Sequence, residues 1–133
     1  MKCVNTFKGV KTLPLTRNST DDVLLNWKVG PCELIKYENS VLKCKRNGWV
    51  SVSFNISLYT KGTDIQLIEL GLKVNGSQLD ITTLDDVHGD IRTLRCQVLC
   101  EVKRGDKLSL FVSNKSSNQD VEIVSANWLL HEC

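Results

Sequence analysis

The side chains best suited to chemistry in this chain are Cys3, Cys32, Cys44, Cys96, Cys100 and Cys133, with His88 and His131 the only imidazoles. Cys96 and Cys100, four apart, have the look of half a metal site. On a strand, however, residues four apart lie ~13 Å from each other at 3.3 Å per residue, too far to share an ion or to bond each other. Each needs a separate partner or stays free. Neither histidine has a ligand motif around it, and zinc held by cysteine wants closely paired ligands such as Cys-x-x-Cys. Asp85, Asp86 and His88 are the nearest approach to an acid–base cluster, but no nucleophile motif and no glycine-rich phosphate loop accompany them. The expectation is a protein that is not an enzyme and holds no metal and no cofactor.

Without a reaction centre, function rests on surfaces and on the elements that shape them. Short runs rich in Val, Ile, Leu and Thr recur between clusters of Asn, Asp, Gly, Ser and Lys, which predicts an all-β sandwich. The clearest strand runs from Trp49 to Tyr59, with Val50, Val52, Phe54, Ile56 and Leu58 on one face and Ser51, Ser53, Asn55 and Ser57 on the other. Leu94, Cys96, Val98, Cys100 and Val102 share one parity before Gly105-Asp106, and Leu108, Leu110 and Val112 share one after it. Gly105 supplies the positive φ of a tight turn and Asp106 bonds its own backbone, so this reads as a hairpin. Further strands are expected over residues 33–37, 40–45, 64–74 and 78–84, with reversals at Glu38-Asn39, Asn47-Gly48 and Asn75-Gly76. Residues 85–90 and 114–120 read as loops. Before Leu24, Pro14 and the Asn18 to Asp22 stretch break any pattern, so residues 1–23 are a poorly placed segment with at most an edge strand around residues 11–17.

At 133 residues the chain is a single domain with room for a real core. Lys and Arg total 17 against 15 for Asp and Glu, which gives no electrostatic case for nucleic acid or an anionic membrane unless basic residues cluster. A protein or carbohydrate partner stays open. Six cysteines and Asn-x-Ser/Thr sequons at Asn18, Asn55, Asn75 and Asn114 favour an oxidising, extracellular setting. No run approaches the ~20 apolar residues of a membrane span, and Met1-Lys2-Cys3 is not followed by a signal-peptide core. The expectation is the ectodomain of a longer, membrane-anchored precursor. An immunoglobulin sandwich ranks second among folds, because Trp49 follows Cys44 by five residues and no Tyr lies two before a later Cys.

The residues so assembled resemble the tumour necrosis factor (TNF) ligand family. Cys32-Glu33-Leu34 through Asn39, Val41-Leu42 and Gly48 resembles its passage from the early strands into strand C. Lys103-Arg104-Gly105-Asp106-Lys107-Leu108-Ser109 is similar to its turn between strands F and G, and Asn127-Trp128-Leu129-Leu130 to its closing strand H. The short loops resemble its small, divergent T-cell co-stimulatory ligands. The resemblance implies a jelly-roll β-sandwich of two antiparallel sheets and a disulfide between Cys44 and Cys133, with Cys3, Cys32, Cys96 and Cys100 unassigned. It further implies an extracellular or cell-surface ligand of type II topology that assembles as a homotrimer and clusters a cysteine-rich TNF-receptor-family ectodomain in immune co-stimulation. Contacts would come from Tyr59, Lys61 and Asp64, from Asn75, Gln78 and Leu79, and from His88 and Asp90. One departure stands out: the family's strand C reads Gly-x-Tyr-x-x-Tyr-x-Gln, whereas both tyrosines are absent after Gly48. The face used for packing between subunits would then carry Ser51, Ser53 and the sequon at Asn55. That polarity keeps open a monomeric binding module or decoy that captures a protein without signalling. A carbohydrate-binding sandwich is weaker for want of clustered aromatics, and a complement-type head has no collagen-like repeat before it.

Overall fold

The computed structural model of the chain describes residues 2–38 and 41–133. Its strands are β1 (Lys2–Leu13), β2 (Asp21–Asp22), β3 (Lys28–Val29), β4 (Ile35–Glu38), β5 (Val41–Cys44), β6 (Gly48–Tyr59), β7 (Gln66–Val74), β8 (Ser77–Val87), β9 (Arg92–Val102), β10 (Lys107–Asn114) and β11 (Val121–Glu132). Two antiparallel sheets face each other. One runs β3-β1-β11-β6-β9; the other runs β4-β5-β10-β7-β8, with β2 against β10. The reversal expected at Glu38-Asn39, with Ser40, falls on or beside residues outside those described. The jelly-roll sandwich of two antiparallel sheets is the observed fold.

Alternation builds the core. Val50, Val52, Phe54, Ile56 and Leu58 of β6 and Leu94, Val98 and Val102 of β9 point inward and meet Ile68, Leu70 and Leu72 of β7 and Leu108, Leu110 and Val112 of β10. Burying side chains of this size stabilises by about 1.5–3 kcal/mol each, so the inner rows dominate the favourable side of folding. Trp128 of β11 stacks on Trp27 at 6.0 Å between ring centres and closes one flank. On β10 the outward Phe111 is also buried, because Gly71 opposite it has no side chain; a Cβ there would stand 2.5 Å from the Phe111 ring.

Several expectations are corrected. Gly105 does take positive φ (94°), and Asp106 accepts the Lys103 N–H at 2.8 Å, yet the turn makes no hairpin. It carries the chain from β9 in one sheet to β10 in the other, and its backbone bonds to β5 instead, with Gly105 N–H on the Cys44 carbonyl and Cys44 N–H on the Asp106 carbonyl. Parity reports that both strands face the core but not whether they share a sheet. The N-terminal segment holds the twelve-residue β1, seated between β3 and β11. Its alternation is disguised because the fully buried Asn5 takes an inward position and the register shifts between Lys8 and Lys11. β8 continues through Asp85 and Asp86 to the buried Val87, into the segment expected to be a loop.

The disulfide is a correction too. Cys3 bonds Cys32, with Cα atoms 5.2 Å apart, and ties β1 to the segment before β4. Cys44 and Cys133 are both free, so the bridge implied by the family resemblance is not formed. Cys44 points into the core from the six-stranded sheet, while the exposed Cys133 follows the last strand of the other sheet, its N–H on the Trp49 carbonyl. Cys96 and Cys100 are also free and buried. Burial chiefly, helped by the Asp106 carboxylate and Cys100, pushes the Cys44 thiol up to about 11, and burial with Asp106 raises Cys100. Such thiols are inert near neutral pH.

Candidate interaction surface

The contact candidates separate into two groups at opposite ends of the sandwich. Tyr59 ends β6 opposite Glu122, and the next residue, Thr60, donates its N–H to the His88 carbonyl at 3.1 Å. That bond draws the 61–65 loop, with Lys61 and Asp64, beside the loop that carries His88 and Asp90. Lys61 pairs with the buried Glu122 at 3.4 Å, and Thr12 donates its hydroxyl to the same carboxylate. Asn75, Gln78 and Leu79 lie at the other end, on the β7–β8 turn, roughly 26 Å away along β7 at 3.3 Å per residue. Asn75, at φ 53°, donates its side-chain amide to Asp106 and accepts the Lys107 N–H, bracing the two turns together. Leu79 packs partly against the core rather than standing free.

The sequons differ as sharply. Asn114 is wholly buried, donates to Gln66 and Gln119 and accepts the N–H groups of Ser116 and Ser117, so its side chain is spent on holding its loop. Asn18 and Asn75 are exposed. Asn55 lies half-buried on the outward face of the five-stranded sheet, where its Nδ2 donates to Asn127 Oδ1 at 2.8 Å.

The outward face of the five-stranded sheet carries further cross-strand pairs. Ser57 and Thr93 hydroxyls bond at 2.7 Å, and Gln97 donates to Ser51 at 3.2 Å. Cross-strand neighbours thereby satisfy one another in the half containing Asn55. Apolar residues share the face: Trp49 is 52% and Leu99 59% exposed, diagonal neighbours on β6 and β9, and Val4 pairs with Leu129 on β1 and β11, in the row of Ser53 and Gln97. Leu99, Gln97, Asn127 and Leu129 were missed because outward positions of a strand declare themselves only once the inward row is assigned. Among the described residues no group of three or more His, Cys, Asp and Glu side chains is placed to hold a metal ion, and no helix is long and apolar enough to cross a membrane.

No protein-family model and no curated protein matches the chain in sequence. Solved structures do match it in shape. Rabbit GITRL superposes with a TM-score of 0.57 at 16% identity, over 98% of this chain and 93% of that one. The globular domain of the zebrafish complement 1qA protein gives 0.66 at 13% identity, over 99% and 97%. Eiger TNF from S. frugiperda gives 0.61 at 12% identity, over 98% and 92%. The fold is TNF-like.

Proposed function

We propose that this chain is an extracellular, cytokine-like ligand of the TNF family that assembles as a homotrimer and clusters a cysteine-rich TNF-receptor-family ectodomain, without catalysis, metal or cofactor. The observation that carries the proposal is the outward face of the five-stranded sheet. Its Asn55, Ser57 and Gln97 side chains are already paired laterally, so covering them strands none of those groups, the charged Arg95 and Glu101 stand on the edge strand β9, and its exposed Trp49, Leu99 and Val4 offer apolar area whose burial stabilises association. A closed symmetric ring of such faces repeats the receptor site on each protomer, and clustering follows from that repetition. The likeness to GITRL and Eiger TNF supports the ligand reading, and the Cys3–Cys32 disulfide supports an oxidising location.

Tyr59, Lys61, Asp64, His88 and Asp90 form the receptor-contact set in this reading, because they share one end. Asn75, Gln78 and Leu79 serve a second, separate contact. Attachment to a membrane is through a segment upstream of the domain, in type II orientation. A Leu99→Arg variant tests the proposal: it converts a trimer into a folded monomer that binds receptor without activating it, whereas a trimer that survives Leu99→Arg overturns the assignment of this face.

A second reading, a monomeric binding module, is favoured by one observation, the sequon at Asn55 on that same face. A glycan there blocks subunit packing.

A further inference from the structure

The six-stranded sheet carries an arrangement of charge that the fold does not need. Lys36 of β4 stands directly opposite Lys43 of β5, and Lys43 directly opposite Lys107 of β10, all three exposed on the outward face. Strands lie ~4.8 Å apart, so three ammonium stems rise in a row across the sheet. Like charges at directly opposed positions are destabilising. Carboxylates relieve only one end of the row: Glu38 pairs with Lys36 at 3.6 Å, and among the described residues no ion pair forms at Lys43, Lys107 or Arg104. Asp106 is turned to the Asn75 amide and the Lys103 N–H. Beside the row a groove of about 550 Å³ is lined by Lys36, Glu38, Lys43, Cys44, Lys45, Arg104 and Gly105, and a smaller hollow of about 140 Å³ continues it to Lys107. The overall charge of +2 hides this cluster, because Glu38 is the one acidic residue among those lining the groove and most of the others lie elsewhere.

We propose that this groove binds the sulfated stretch of an extracellular glycosaminoglycan. A regular row of flexible ammonium groups suits a chain with closely repeated sulfates, and each contact releases condensed counterions. No aromatic ring lines the groove, so it lacks the stacking platform with which proteins hold single-stranded nucleic acid. The disulfide fits the extracellular compartment where such glycans occur. The site lies on the sheet opposite the face assigned to self-association, so it stands or falls independently of the trimer.

The test titrates the full chain with a size-defined heparin oligosaccharide at several salt concentrations, comparing the wild type with Lys43→Gln/Lys107→Gln and with Lys8→Gln/Lys11→Gln, which makes the same charge change on β1. The groove variant is expected to lose about tenfold or more in affinity, with the slope of log K against log salt falling by roughly 1–2. The β1 variant stays within about twofold on the same counterion argument. Lys43→Gln is expected to keep or raise the thermal midpoint, which separates lost binding from lost folding. Absence of wild-type binding, an equal loss in both variants, a midpoint that falls in Lys43→Gln, or tighter binding to single-stranded DNA of equal charge overturns the proposal.

Discussion

The two outward faces of the sandwich obey one rule and reach opposite results. In each, antiparallel register places side chains directly opposite one another. On the five-stranded sheet that register joins donor to acceptor, Asn55 to Asn127 and Ser57 to Thr93. On the six-stranded sheet it lines up Lys36, Lys43 and Lys107. Polar groups that satisfy one another can be covered at little cost, while a row of like charges is relieved only by solvent or by an anion. On that difference rest the two proposals, self-association for the first face and a polyanion for the second.

Removing the staple under the first face has the largest expected effect. Cys3→Ser/Cys32→Ser opens a loop with a sequence separation of 29, which on the chain-entropy model costs ~3–4 kcal/mol, read as a lower midpoint in denaturant. The loss should fall on β1 and its neighbours in the five-stranded sheet, seen as faster amide exchange there than in β7 and β10. Next, Asn55→Lys/Asn127→Lys gives the first face the character of the second. Loss of the amide pair and the new repulsion together cost about 1–2 kcal/mol, and the proposed trimer dissociates. If assembly persists, the face is misassigned.

The converse change is smaller and opposite in sign. Lys43→Gln relieves the lysine row and stabilises the protein by about 0.2–1 kcal/mol, measured by chemical denaturation at low salt. The gain should shrink as salt screens the row. Smallest is the acid response of the turn that borders the groove. Hydrogen bonds from the Asn75 amide and the Lys103 N–H, with the Lys103 charge, hold the Asp106 carboxyl below the usual carboxylate range. Its contribution is therefore present above the unfolded pKa of about 3.9 and fades as pH falls through the native value. Wild type and Asn75→Ala should accordingly differ by a constant amount between pH 5 and 8, and below about pH 4 the difference should shrink to the pH-independent part left by the lost Lys107 N–H bond and the positive φ at residue 75, in thermal melts.

Much of this fold was legible from alternation. The inward rows of β6 and β9 and the Gly105-Asp106 turn follow from residue type alone, because a half-buried strand must present a period of two. β1 was not legible: Asn5 occupies an inward position, and a register shift follows Lys8. Nor was the sheet to which β9 and β10 belong, since both satisfy the same parity. The disulfide partner of Cys3 depends on where the chain before β4 passes β1, which is tertiary. The candidate contacts were named by loop, and only the Thr60 to His88 bond reveals that two of those loops are neighbours. Lys36 and Lys43 flank one expected reversal, but Lys107 lies 64 residues beyond Lys43, so nothing short of the strand register could place the three in a row.

The most direct test of the account is the solution mass of the glycosylated chain, secreted from a eukaryotic host and measured by light scattering coupled to size exclusion. The account predicts three times the protomer mass, with Asn55 and Asn114 unmodified in the glycopeptide map. A monomer, or a glycan on Asn55 in the assembled species, would contradict it.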